Sequence, residues 1–246
     1  MPTILLPLYI YPNPGAWDPL YDAISANPKV WFIIIVNPAS GPGSPPWWPN
    51  ADYIREIPRL NAQANVTVVG YVSTEYCSRP VSEVLADIDT YASWSANSEK
   101  LGVEGIFFDE IFNEWAEEAK EYLDKATYKV KKASGILGDR LVIQNPGTAI
   151  DERLCNDDVD ITVIVENTYA EYSKIDYQQW LAENPFDRER ACHMVHSVPL
   201  EKIGGLVGQI KDKAKCQFVT DLSVNYYARF GESWPTVVGL LGHEEK

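Results

Sequence analysis

Three carboxylates stand where carboxylates are costly. Asp109 and Glu110 end the apolar run Gly105-Ile106-Phe107-Phe108, and Glu166 ends Ile161-Thr162-Val163-Ile164-Val165, with no Lys or Arg beside any of them. Desolvation and like charge raise the pKa of one member of such a set, leaving a protonated acid beside an ionised carboxylate. That is the equipment for breaking a glycosidic bond, and a separation of about 5 Å suits a retaining mechanism. Two structural readings compete with it. Asp109 would cap a helix beginning near Glu114, or Glu166 would meet Arg190 or Arg229 in a buried ion pair.

The other apolar runs end in the same way. Tyr9 and Tyr11, Asn37, Tyr71 and Ser73, Gln144 and Asn145, Asn167, His196, and Asp221 with Asn225 are hydrogen-bonding residues that terminate or follow them. In a β/α-barrel these ends form the catalytic face. The Pro/Gly/Ser-rich insertion at residues 38–49 follows the second run on that same side and carries Trp47-Trp48. Adjacent tryptophans there would stack on sugar rings, or they plug the barrel mouth or cap a helix.

Other chemistries lack their residues. There is no Gly-x-Ser-x-Gly elbow and no lysine at a strand end for Schiff-base chemistry. His193 and His196 are three apart on a strand and point to opposite faces, so they cannot share a metal; His193 reads as structural, while His196 is a candidate for the cup. Cys77, Cys155, Cys192 and Cys216 lack the close pairing of zinc or redox sites. The expected chemistry needs neither cofactor nor metal. Gly204-Gly205 lies inside a helical stretch, which disfavours a phosphate site.

The elements that must position these residues alternate along the whole chain. Apolar, β-branched and aromatic runs occur at residues 4–11, 31–37, 66–73, 105–111, 141–145, 161–167, 192–197 and 217–224. Helical stretches are predicted at 17–26, 51–62, 81–96, 114–134, 176–183 and 200–214, with a short one at 150–154. Continuous rather than alternating apolar strands mean burial on both faces, as in a parallel sheet covered by helices. Eight such units over 1–246 predict an α/β protein with a single (β/α)8 TIM-type barrel. A doubly wound sheet is the rival, but Tyr11-Pro12-Asn13-Pro14-Gly15 stands where its glycine fingerprint would be.

The net charge of −14 opposes nucleic-acid binding and favours a cationic substrate, or simply keeps the surface soluble. No apolar stretch is long enough to span a bilayer. Met1-Pro2-Thr3 runs into an apolar strand without the segments of a secretory signal, whereas the cysteines and the sequon Asn65-Val66-Thr67 point to an extracellular setting. Cys192 and Cys216 open their strands and Cys155 precedes one, so one bridge is expected among them, with Cys155–Cys192 first. Cys77 reads as a buried free thiol.

Leu6-Pro7-Leu8-Tyr9-Ile10-Tyr11-Pro12 followed by Trp17, the run from Ile35 to Gly43 (Ile-Val-Asn-Pro-Ala-Ser-Gly-Pro-Gly), Gly70-Tyr71-Val72-Ser73-Thr74, the Gly105–Glu110 run and Asn145-Pro146-Gly147 together resemble the spherulin-4-like proteins, the group containing glycoside hydrolase family 135. The resemblance runs nearly end to end. It implies a β/α-barrel and a secreted or wall-associated fungal endo-α-1,4-N-acetylgalactosaminidase. Such an enzyme degrades galactosaminogalactan, a cationic exopolysaccharide of biofilms and cell walls. It further implies Asp109 as nucleophile, Glu166 as acid/base and Glu110 as a neighbour that tunes charge or holds an amino group, with the roles of Asp109 and Glu110 open to exchange. Tyr9, Asn37, Tyr71, Asn145, Tyr169 and Asp221 would be subsite residues of a monomeric enzyme. The competing readings are a glycan-binding encystment or wall protein with little turnover, and a hydrolase of another α-linked glycan.

Overall fold

A computed structural model describes residues 1–44 and 49–242. The predicted tryptophan pair, Trp47 and Trp48, lies outside the described residues. Eight parallel strands close into a barrel in chain order. They are β1 (Thr3–Leu8), β2 (Trp31–Val36), β3 (Val66–Ser73), β4 (Gly105–Asp109), β5 (Leu141–Gln144), β6 (Ile161–Thr168), β7 (Ala191–His196) and β8 (Cys216–Val219), with β8 pairing back to β1 through Thr3 and Ile4. All eight coincide with the apolar runs, since each strand is packed by the barrel interior on one side and by helices on the other.

The helices are α1 (Asp18–Ala26), α2 (Ala51–Asn61), α3 (Val81–Asn97), α4 (Glu117–Lys132), α5 (Tyr169–Tyr172), α6 (Ile175–Glu183), α7 (Ile203–Lys211) and α8 (Trp234–Gly242). Local signals set their ends. Asn50 accepts from the amides of Asp52 and Tyr53 at the start of α2. In α4, Glu117 and Glu118 open the helix and Lys129, Lys131 and Lys132 close it, which complements its dipole. The segment between β5 and β6 holds only a short 3-10 turn, Glu152–Leu154, where the sequence predicts a short helix.

The helix layer fixes strand geometry closely. Gly70 of β3 lies under the ring of Tyr91 from α3, where an added Cβ would meet ring carbons at 2.6 Å. That ring cannot slide away, because its hydroxyl is bonded to the carbonyls of Tyr71 and Val36 at 3.0 and 3.3 Å. Gly70→Ala is therefore expected to destabilise the fold by about 1–3 kcal/mol through overpacking. A drop in the thermal unfolding midpoint checks this, and an unchanged midpoint would show that β3 and α3 can separate freely.

One expectation fails. All four cysteines are free: Cys155 is exposed beside the 3-10 turn, whereas Cys192 is fully buried on β7 in register with Cys216 of β8, so the expected Cys155–Cys192 bridge does not form. The sequon residue Asn65 spends its amide on the carbonyls of Asn27 and Val30, at 3.3 and 3.0 Å, and so belongs to the fold. No helix of the described residues is long and apolar enough to cross a membrane.

Candidate active site

The C-terminal strand ends bring Asp109 and Glu166 together through one side chain. Asn145, buried just after β5, donates from Nδ2 to Asp109 Oδ1 at 2.8 Å and to Glu166 Oε2 at 2.7 Å. Its own Oδ1 accepts from the Gly147 amide at 3.0 Å, which fixes which end of the amide faces the acids. Two oxygens bonded to one nitrogen at these distances are at most about 5.5 Å apart, so the two carboxylates can flank one bond of a bound substrate.

Glu166 reaches the interior because β6 is irregular. Val163 pairs with Cys192, Val165 with His193 and Glu166 with Met194, so Ile164 is an extra residue in the strand. Strict alternation from Ile161 and Val163 would turn Glu166 outwards; the bulge changes the phase and aims it at Asp109. Gly147, at φ 67°, packs against it, with room for a Cβ only 3.5 Å from that of Glu166.

Both competing structural readings of the carboxylates fall. Helix α4 starts at Glu117 with no side-chain cap, so Asp109 caps nothing. Glu166 accepts from Asn145 and, at Oε1, from the Tyr227 hydroxyl at 2.6 Å, whereas Arg190 is turned to the carbonyls of Asn156 and Val159.

Burial, then the charge of Glu166, hold the Asp109 carboxyl above its ordinary range, against hydrogen bonds from Tyr71, Asn145 and the Glu110 amide. Keeping Asp109 ionised therefore costs folding stability, and the sign follows. Its pKa is raised in the folded state, so stability falls as pH rises from the ordinary aspartate range through the raised value. Asp109→Asn is expected to raise the melting temperature near neutral pH by roughly 2–4 °C, about 1 kcal/mol in a chain of this size. The gain should shrink on acidification and vanish below about pH 4. Calorimetry of both proteins across pH checks it, and a pH-independent difference would contradict the assigned cause.

Glu110 follows with φ 57°, a left-handed backbone for a non-glycine residue, and its Oε2 accepts from Ser73 Oγ at 2.6 Å. Tyr9 and Tyr71 form the floor, edge to face with centroids 5.6 Å apart, and burial pushes both phenols up. His196 lines the cup: its ring stacks on Tyr226 at 4.1 Å and 10°, and burial lowers its pKa while Glu166 opposes. His193 is structural, bonded to the Tyr172 hydroxyl at 3.2 Å and pushed down to about 4 by burial.

Three predicted subsite residues also make contacts that serve the fold. Asn37 accepts from the Gly41 amide at 3.0 Å and so shapes the start of the insertion. Asp221 accepts from the Ser233 amide at 2.9 Å and ties the loop after β8 to the start of α8. Tyr169 is the first residue of α5, packed against the core. Conversely, Tyr226 and Tyr227 were not among the expected residues. Their signal was the aromatic pair beside Asn225, directly beyond the last apolar run. Among the described residues no three His, Cys, Asp or Glu side chains are arranged to hold a metal ion.

The GH5 cellulase of a Bacteroidetes-affiliated polysaccharide utilisation locus superposes with a TM-score of 0.56 at 9% identity over 100% of this chain and 91% of that one, a likeness of fold alone. Sph3 of Aspergillus clavatus, solved in complex with GalNAc, superposes with a TM-score of 0.93 at 41% identity, covering 98% of this chain and 97% of that one. Spherulin-4 of Physarum polycephalum is 37% identical over 210 residues, which is 83% of this chain and 58% of that protein, so the chain spans little more than half of that relative. The model of spherulation-specific family 4 matches residues 3–241. A family model that matches nearly the whole chain, together with these likenesses, places the chain in the Spherulin-4 family.

Proposed function

We propose that the protein is a retaining, endo-acting glycoside hydrolase that cleaves α-1,4-linked N-acetylgalactosamine or galactosamine in galactosaminogalactan, and that it works outside the cell or in the wall. The observation that carries this is the Asp109–Asn145–Glu166 bridge, and the likeness to a structure solved with GalNAc supports the sugar.

Asp109 attacks the anomeric carbon while Glu166 gives its proton to the departing glycosidic oxygen, forming a glycosyl ester on Asp109. Glu166, now a carboxylate, takes a proton from water, which breaks the ester and returns Asp109 to its ionised form. Hydrogen bonds from Tyr71, Asn145 and the Glu110 amide favour the ionised nucleophile against its burial. Tyr227 holds Glu166 in place from the side opposite Asn145.

Incubation with galactosaminogalactan, followed by mass spectrometry of soluble products, tests the reading. Release of oligosaccharides of several lengths supports endo-cleavage. Binding of the polymer without release would instead identify a glycan-binding wall protein.

A further inference from the structure

Resting on that reading, we propose that Tyr76 is a stacking platform for a sugar unit beyond the two flanking the scissile bond, so that it selects long chains over short ones. Glu75, Tyr76 and Cys77 take φ values of 49°, 55° and 65° in succession, three non-glycine residues in the left-handed region. Each costs on the order of 1–2 kcal/mol, and such residues normally occur singly. A loop whose only task was to join β3 to α3 would use glycine or asparagine here.

The turn is held in this form from several sides. The Tyr76 amide donates to the Glu110 carbonyl at 2.7 Å, and buried Thr74 Oγ1 donates to the carbonyls of Asp109 and Glu110 at 3.1 and 2.8 Å. Ser78 Oγ closes the turn onto the Glu75 carbonyl at 2.6 Å. The strained segment is thus fastened to the backbone of the candidate catalytic residues.

What the strain presents is an aromatic ring. Tyr76 is 62% exposed, and its side chain makes no hydrogen bond or ring contact among the described residues. Among the described residues, the other exposed aromatics on this face are already engaged: Tyr11 bonds Asp52 at 2.7 Å, and Trp115 lies 4.8 Å under the Arg153 guanidinium. An unengaged ring carried on a backbone one hydrogen bond from Glu110 suits the apolar C–H face of a pyranose. Backbone strain persists when surrounding structure enforces it, and it concentrates at ligand clamps.

The test compares wild type, Tyr76→Ala and Tyr76→Phe on α-1,4-linked galactosaminide oligomers of increasing length, with binding measured by calorimetry in a Glu166→Gln background. Tyr76→Ala is expected to weaken binding of the longest oligomers about tenfold and raise their KM alike, with the shortest cleaved oligomer unchanged and Tyr76→Phe close to wild type. An equal loss at every length would mean that the turn only supports Glu110, and unchanged binding at every length would mean that the ring touches no substrate; either overturns the proposal while leaving the hydrolase reading intact. If wild type neither binds nor cleaves any oligomer, the reading itself fails, and the platform with it.

Discussion

Asp109→Asn and Glu166→Gln are each expected to lower kcat on the polymer by about 10³-fold or more, with the barrel intact by circular dichroism. The two variants remove different half-reactions. Without the Asp109 carboxylate no glycosyl ester forms; without Glu166 neither the leaving oxygen nor the attacking water has a proton partner. Replacement by alanine separates the roles. With an activated aryl glycoside and azide, Asp109→Ala should give the β-azide, since azide attacks directly, and Glu166→Ala the α-azide, since it attacks the ester. Equal residual activity in both variants and wild type would mean that the chemistry lies elsewhere in the cup. Asp109→Asn should also be the more heat-stable protein near neutral pH, so lost activity could not be blamed on unfolding.

Asn145→Ala should cost about 10²-fold in kcat/KM although Asn145 exchanges no proton with substrate. Its one amide nitrogen serves both acids, so its loss frees two carboxylates at once and leaves both short of a donor. The pH dependence is the sharper readout. A hydrogen bond from Asn145 lowers the Asp109 pKa; removing it leaves burial and the charge of Glu166 unopposed on that side. The raised pKa then rises further, and the acid limb of kcat/KM should move to higher pH. A profile that falls in height without moving would mean that Asn145 positions the acids but does not hold their charge.

The strands and carboxylates were legible because they follow from one physical requirement. A strand buried on both faces is apolar throughout, so an acid at its end is conspicuous, and Asp109, Glu110 and Glu166 all stand out in this way. What lay beyond reach was set by phase and by loops. Nothing in Ile161–Val165 announces that Ile164 is surplus, yet that single residue decides whether Glu166 faces Asp109 or the helices. Helix α8, with apolar residues on nearly every side and Gly239 within it, lacks the amphipathic period that revealed α2 and α4. Polar residues at strand ends also serve two purposes. Asn145 turned to the acids, whereas Asn37 and Asp221 turned to their own loops, and residue type alone does not tell the two apart.

Tyr226 and Tyr227 show the complementary gap. They belong to no strand, and the loop after β8 has no periodicity to place them, but the fold returns both to the mouth. Tyr227 bonds Glu166, and its carbonyl accepts from the Tyr9 amide at 3.0 Å, which ties the end of the barrel to its beginning. Tyr227→Phe should therefore lower kcat several-fold with little change in KM, since it loosens an acid and removes no sugar contact; an effect confined to KM would make Tyr227 a subsite residue instead.

The most direct test of the account is the stereochemistry of the first product. Proton NMR of a polymer digest in its first minutes, before mutarotation, reads the new reducing end. Carboxylates bridged by Asn145 within about 5.5 Å predict the α-anomer, the configuration of the bond that was cut. Initial release of the β-anomer would show a single displacement by water and would contradict Asp109 as the nucleophile.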